Sequence, residues 1–134
     1  MSTLTSAPVT VTSIIGQPAL LMTWPRVIER DSIKEAFRMI VTALDTSNVP
    51  LYIVVDLHAN PDFPMTETIQ GAYFGPFRHC NLAEWLVVNT NILGRMIGNT
   101  LSSITRRDNI RWFETMEEAL QYLQELTVEP EFAL

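Results

Sequence analysis

Cysteine is almost absent from this 134-residue chain: Cys80 stands alone. That excludes an intramolecular disulfide and leaves no second thiol to complete a metal-ligand pair. Histidine is nearly as scarce. His58 and His79 lie far apart, neither in a His-Glu-x-x-His helix, and a metal site is not expected. Charged residues make up only 18% of the chain, with a net charge of −6, whereas phosphate backbones are bound by basic surfaces. A nucleic-acid partner is therefore not expected, and Arg106-Arg107 reads as a solvated turn. No apolar run approaches the ~20 residues that span a bilayer. The amino terminus shows no basic region followed by an apolar core, so no signal peptide and a cytoplasmic location are expected. No Gly-x-Ser-x-Gly elbow and no glycine-rich phosphate loop follows any apolar run, which gives neither a nucleophile nor a cofactor to expect.

What is present is a high apolar content, arranged in patterns. Hydrophobic residues are 47% of the chain, and a chain of this length buries about 65–70% of its unfolded surface in a single core. The most informative stretch is Leu51 to Asn60, Leu-Tyr-Ile-Val-Val-Asp-Leu-His-Ala-Asn. Continuous apolar residues without alternation suit a strand buried on both faces, in a parallel sheet covered by helices. The run stops at Asp56, and the loop after such a strand lies at the carboxyl edge, where α/β proteins keep functional groups.

Around it, Val9 to Ile15 and Ala19 to Trp24 flank Gly16-Gln17-Pro18 and read as a hairpin. Ser32-Ile33-Lys34-Glu35 reads as a capping box opening a helix whose apolar face is Ile33, Ala36, Phe37, Ile40, Val41 and Leu44. Thr66 to Phe77 fits a helix that ends or kinks near Gly75, because Pro76 cannot continue it. Leu82 to Val88 reads as a second buried strand. A helix capped within Asn89-Thr90-Asn91 follows, with apolar positions Ile92, Leu93, Met96, Ile97, Leu101 and Ile104. Gly94 and Gly98 in it point to close packing on its own sheet. Ile110 to Phe113 is a last strand, and Thr115-Met116-Glu117-Glu118 a second capping box before a helix burying Ala119, Leu120, Leu123 and Leu126. Alternation after the hairpin calls for an α/β fold: a mostly parallel β-sheet with right-handed crossovers and about four helices.

This order resembles the STAS or SpoIIAA-like fold. Val54-Val55-Asp56-Leu57, followed by a loop with Phe63 and a threonine-headed helix, looks like the segment carrying the regulatory site of anti-sigma-factor antagonists. The closing segment from Ile110 to Leu123 is similar to that of small SpoIIAA-like bacterial proteins. The resemblance implies a single domain over residues 8–126, with flexible termini at 1–7 and 127–134. It also implies a non-catalytic regulatory or protein-interaction role. The antagonists carry a phospho-accepting serine in an Asp-Ser-Ser-Gly setting, whereas this chain has Phe63-Pro64-Met65-Thr66-Glu67-Thr68.

The candidate site residues follow from these placements. Thr66 and Thr68 are candidates for phosphorylation or for holding an anion at a helix start, the plainer role of Thr66 being a helix cap. Asp56, His58 and Asn60 form a candidate functional loop. Phe63, Met65, Tyr73, Phe74 and Phe77 exceed what one helix face can bury, and are candidates for an apolar-ligand pocket or a homodimer surface. The similarity of the SpoIIAA-like fold to the Sec14-type lipid-binding fold makes a small, lipid-like apolar ligand the alternative function.

Overall fold

A computed structural model of the protein describes residues 5–128, without the side chains of residues 127 and 128. Five strands lie in the order β1-β2-β3-β4-β5, with β1 (Thr10–Ser13) and β2 (Ala19–Thr23) antiparallel and β3 (Leu51–Asp56), β4 (Leu82–Val88) and β5 (Ile110–Phe113) each parallel to the strand before. The hairpin turns at Gly16, whose φ of +79° suits a residue without a Cβ.

Strands that follow one another in space as in sequence have a consequence for the layers. Three right-handed crossovers progressing in one direction all deliver their helices to the same face. α1 (Arg30–Thr46), α2 (Met65–Phe74) and α3 (Ile92–Thr105) share that face, packed through Phe37, Ile40, Ala72 and Ile97 on Met22, Ile53, Val55, Trp85 and Val87. The opposite face would stand bare without α4 (Met116–Val128), which returns after the edge strand and buries Val54, Leu86 and Val88 under Ala119 and Leu123. Ile53 and Val54 in β3 are fully buried while pointing to opposite faces. Continuous hydrophobicity from Leu51 to Val55 is what such a strand requires.

Local signals are realised unevenly. Thr115 and Glu118 form a reciprocal cap: the Glu118 amide donates to Thr115 Oγ1 (3.2 Å) and the Glu114 amide to Glu118 Oε1 (3.0 Å). Ser32 does not cap α1, which starts two residues earlier, at Arg30. Its buried hydroxyl donates to the Glu29 carbonyl (2.6 Å) and accepts from the Val9 amide (2.9 Å), tying the amino-terminal segment to the helix. Ala7 is already engaged: its amide donates to Val27 and its carbonyl accepts from Glu29. At the other end α4 runs to Val128, past the expected boundary at 126, and the tail expected beyond it falls largely outside the described residues.

Glycines set how closely α3 approaches the sheet. A Cβ on Gly94 would stand 2.9 Å from Leu57 Cδ1, and one on Gly98 2.7 Å from Trp112 Cη2. Trp112 lies across α3 at that point, with the Arg95 guanidinium over its ring at 4.1 Å. α2 ends at Gly75, and Pro76–Arg78 continue as a short 3₁₀ turn.

Candidate functional site

The loops leaving β2, β3 and β4 meet at the carboxyl edge of the sheet. Each is hooked to the next strand by its backbone: Trp24 donates to the Asp56 carbonyl (3.3 Å), Leu57 to Val88 (3.0 Å) and Asn89 to Phe113 (3.1 Å). Asp56 thus ends its strand with a largely buried side chain. Its Oδ1 accepts from the His58 amide at 3.0 Å, and His58 Nδ1 lies 3.0 Å from both carboxylate oxygens. An aspartate bonding two residues ahead is the hydrogen bond of an Asx turn. It also holds an exposed imidazole in place, one half of a general-base arrangement. The ring's side-chain partner among the described residues is the Asp56 carboxylate.

Asn60 sits in the left-handed region (φ 58°), which asparagine tolerates better than most side chains. Its Oδ1 accepts from Asn91 Nδ2 at 2.8 Å, and the same Nδ2 donates to the Pro61 carbonyl at 3.0 Å. Asn91 Oδ1 meanwhile accepts from the Gly94 amide at 2.7 Å, capping α3. One asparagine therefore starts a helix and fastens the β3 loop beside it. Arg26, Asp62 and Ile92 border the shallow depression around this pair. The Asn60 and Asn91 side chains are engaged in holding the loops.

The two threonines are separated by the helix itself. Pro64, not Thr66, occupies the cap position of α2 and supplies no side-chain hydrogen bond. Thr66 is exposed in the first turn. Thr68 faces inward and is only 3% accessible, which puts its hydroxyl out of a kinase's reach in the folded state.

The aromatic group divides likewise. Phe63 meets Trp24 edge to face at 4.9 Å between centroids, and Phe77 stacks on Trp85 at 6.0 Å. Both line an apolar cavity of about 70 Å³ between the sheet and the α2–α3 layer, as does Thr68. Met65 and Tyr73 pack partly against the core, Tyr73 under the Arg78 guanidinium. Phe74 points outward, 71% exposed.

Asn81 gives no signal in the sequence, and Arg107, expected in a solvated turn, is instead half-buried and bonded. Asn81 Nδ2 donates to the carbonyls of Leu44 and Ser47 at the end of α1, and Arg107 donates to the carbonyls of Phe77 and His79. Only the fold brings these partners together, from about thirty residues away in sequence. His79 bonds Asp45 through Nε2 (2.7 Å) and accepts from the Asn81 amide at Nδ1 (3.0 Å), which fixes its tautomer. Among the described residues no three His, Cys, Asp or Glu side chains converge to hold a metal ion.

On the α4 face, Tyr122 donates its hydroxyl to Glu84 Oε1, and Arg111 Nε donates to Glu84 Oε2 at 2.8 Å. Burial, followed by the hydrogen bond to Glu84 and its charge, pushes the Tyr122 pKa up to about 12. The same carboxylate raises that of Arg111.

Comparison with protein-family models, curated proteins and solved structures finds no match to this chain. Among the described residues no helix is long and apolar enough to cross a membrane. The class defined by the geometry is an α/β protein with a five-stranded, mostly parallel sheet.

Proposed function

We propose that the chain is a non-catalytic regulatory or interaction domain of the SpoIIAA-like type that contacts a partner protein through α3 and the adjoining carboxyl-edge loops. One observation carries this reading. Ile92 and Met96, one helical turn apart, are 80% and 51% exposed, though their spacing fits the helix's buried set. Large aliphatic side chains left in water beside one another favour burial against a partner. Arg26, Asp62 and the Asn60–Asn91 pair border Ile92, an apolar centre with a polar rim of the kind interfaces use. The sequential strand order and the opening hairpin support the resemblance on which the regulatory part of the reading rests.

A photo-crosslinking residue placed at position 92 or 96 in cells tests the surface, with position 121 on α4 as the control. A discrete adduct with one protein from 92 and 96, absent from 121, is the expected result. Equal labelling from all three positions refutes the surface. A substrate turnover lost in Asp56→Asn or His58→Gln refutes the non-catalytic role.

Phe74 supports a second reading, a symmetric homodimer through α2, since an exposed aromatic ring is a ready self-association point. Light scattering at micromolar concentration is expected to give a dimer for the native chain and a monomer for Phe74→Glu. A native monomer overturns it. Phe77, which is core, has no part in that surface.

A further inference from the structure

One stripe of α2 faces away from the sheet. Glu67, Gln70, Gly71 and Phe74 recur on it at three- and four-residue spacing, and they border an open groove of about 720 Å³ between α2 and α1. The buried Ile33 lines the groove from α1. Gly71 lines it from α2, where a Cβ would stand 2.8 Å from Phe37 Cδ2, so the two helices lie close there. Arg30 of α1 and Glu67 of α2 form an ion pair across the groove. Phe74 borders it two turns beyond Glu67, with its ring 71% exposed. The same stripe therefore carries a projecting ring and a recess beside it.

Charge favours this face for self-contact. Two copies of a chain with a net charge of −6 repel one another on average. The groove is balanced, with Arg30 and Lys34 against Asp31 and Glu67. By contrast α4 carries Glu117, Glu118 and Glu125 and no basic residue.

We propose that two copies pack α2 antiparallel to α2, each Phe74 ring entering the other copy's groove against its Arg30–Glu67 pair. The proposal rests on the homodimer reading above and adds the recess that receives the ring. A two-fold interface needs a patch complementary to itself, and a ring beside a recess on one stripe is such a patch. With the axis between Gln70 and Gly71, positions 67 and 74 are equidistant from it, so Phe74 of one copy comes level with Glu67 of the other. The guanidinium bonded to Glu67 then lies beside the ring, a favourable pairing of cation and aromatic face.

The test uses the full chain with Cys80→Ser and one added cysteine, Gln70→Cys or Thr66→Cys, both at exposed positions. Gln70→Cys, next to the axis, is expected to give a covalent dimer on mild oxidation. In Thr66→Cys the two positions lie about 13 Å apart along the helices, beyond the ~7 Å between Cα atoms that a disulfide spans, and no link is expected. Arg30→Glu is expected to raise the dimer dissociation constant at least tenfold in sedimentation equilibrium. Arg30→Glu combined with Glu67→Arg is expected to restore it to within about threefold. The pair's side chains are largely exposed, so the monomer tolerates these changes. A native monomer overturns both this proposal and the homodimer reading. A dimer that dissociates in Phe74→Glu but not in Arg30→Glu overturns the groove alone, and so does one that links at 66, or at neither position.

Discussion

The two faces of the sheet are built on different plans. Three crossover helices cover one, with aromatic side chains from Trp24, Phe37, Phe63, Phe77 and Trp85. A single terminal helix covers the other, where Val54, Leu86, Val88, Ala119 and Leu123 are each at most 1% exposed. Polar atoms differ in the same sense. On the α4 face the Tyr122 hydroxyl and the Arg111 guanidinium share the Glu84 carboxylate. On the other, the buried Thr68 hydroxyl and Trp85 indole N–H have no hydrogen-bond partner. Of the rings on this face only Phe37 comes from a crossover helix, the others from β4, loops and the 3₁₀ turn, and rings gathered from so many segments leave a cavity of about 70 Å³ among them.

The largest expected effect comes from breaking the compact face. Val54→Asp places an unpaired charge where the native side chain has no exposure, and should destabilise by more than about 3 kcal/mol in urea unfolding. An unchanged midpoint would remove β3 from the centre of the sheet.

A matched pair of small-to-large changes compares the faces directly. Ala119→Val has no room and should cost about 1–3 kcal/mol as overpacking. Ala72→Val, whose native side chain lines the void, should cost under about 1 kcal/mol because the added methyl groups have space. Equal losses in thermal unfolding would mean that the two layers are equally filled.

The smallest effects concern the polar atoms and should have opposite signs. Tyr122→Phe removes a made hydrogen bond and should destabilise by about 1–2 kcal/mol. Thr68→Val removes an unmade one and should stabilise the chain by about 1 kcal/mol. The pH dependence sharpens the contrast. The folded state holds the Tyr122 proton more tightly than the unfolded chain does, with a pKa of about 12 against the ordinary 10.0. Its contribution is therefore complete below pH 10 and is lost as pH rises from there through 12. Melting temperatures across that range should fall more steeply for the native chain than for Tyr122→Phe. Parallel curves would place the phenol in water.

Much of the architecture was legible because it rests on local signals. The run at Leu51, the asparagine before Ile92 and the Thr115–Glu118 box each specify an element from within a few residues. Where competition between neighbours decided, the reading was off. Ser32 has a capping pattern, but the chain pairing at Ala7 and Val9 fixes its hydroxyl inside α1. Thr66 heads the helical pattern, while the helix starts after Pro64. The periodicity of α3 suggests one buried stripe, yet Gly94, Ile97, Gly98 and Leu101 are buried and Leu93 partly so, while Ile92, Met96 and Ile104 stand in water.

By itself, then, the sequence determined the order of elements, the doubly buried central strand and the mostly parallel sheet, because hydrophobic period and turn chemistry act over short separations. Only the tertiary structure decided which side chains share a space. That Thr68 and Trp85 line one cavity, that Asn91 clasps Asn60, and that Tyr122 and Arg111 meet on Glu84 depend on segments far apart in sequence. They depend on crossover handedness, on glycine-limited helix approach and on which face each helix covers, and no local pattern of residues encodes any of these.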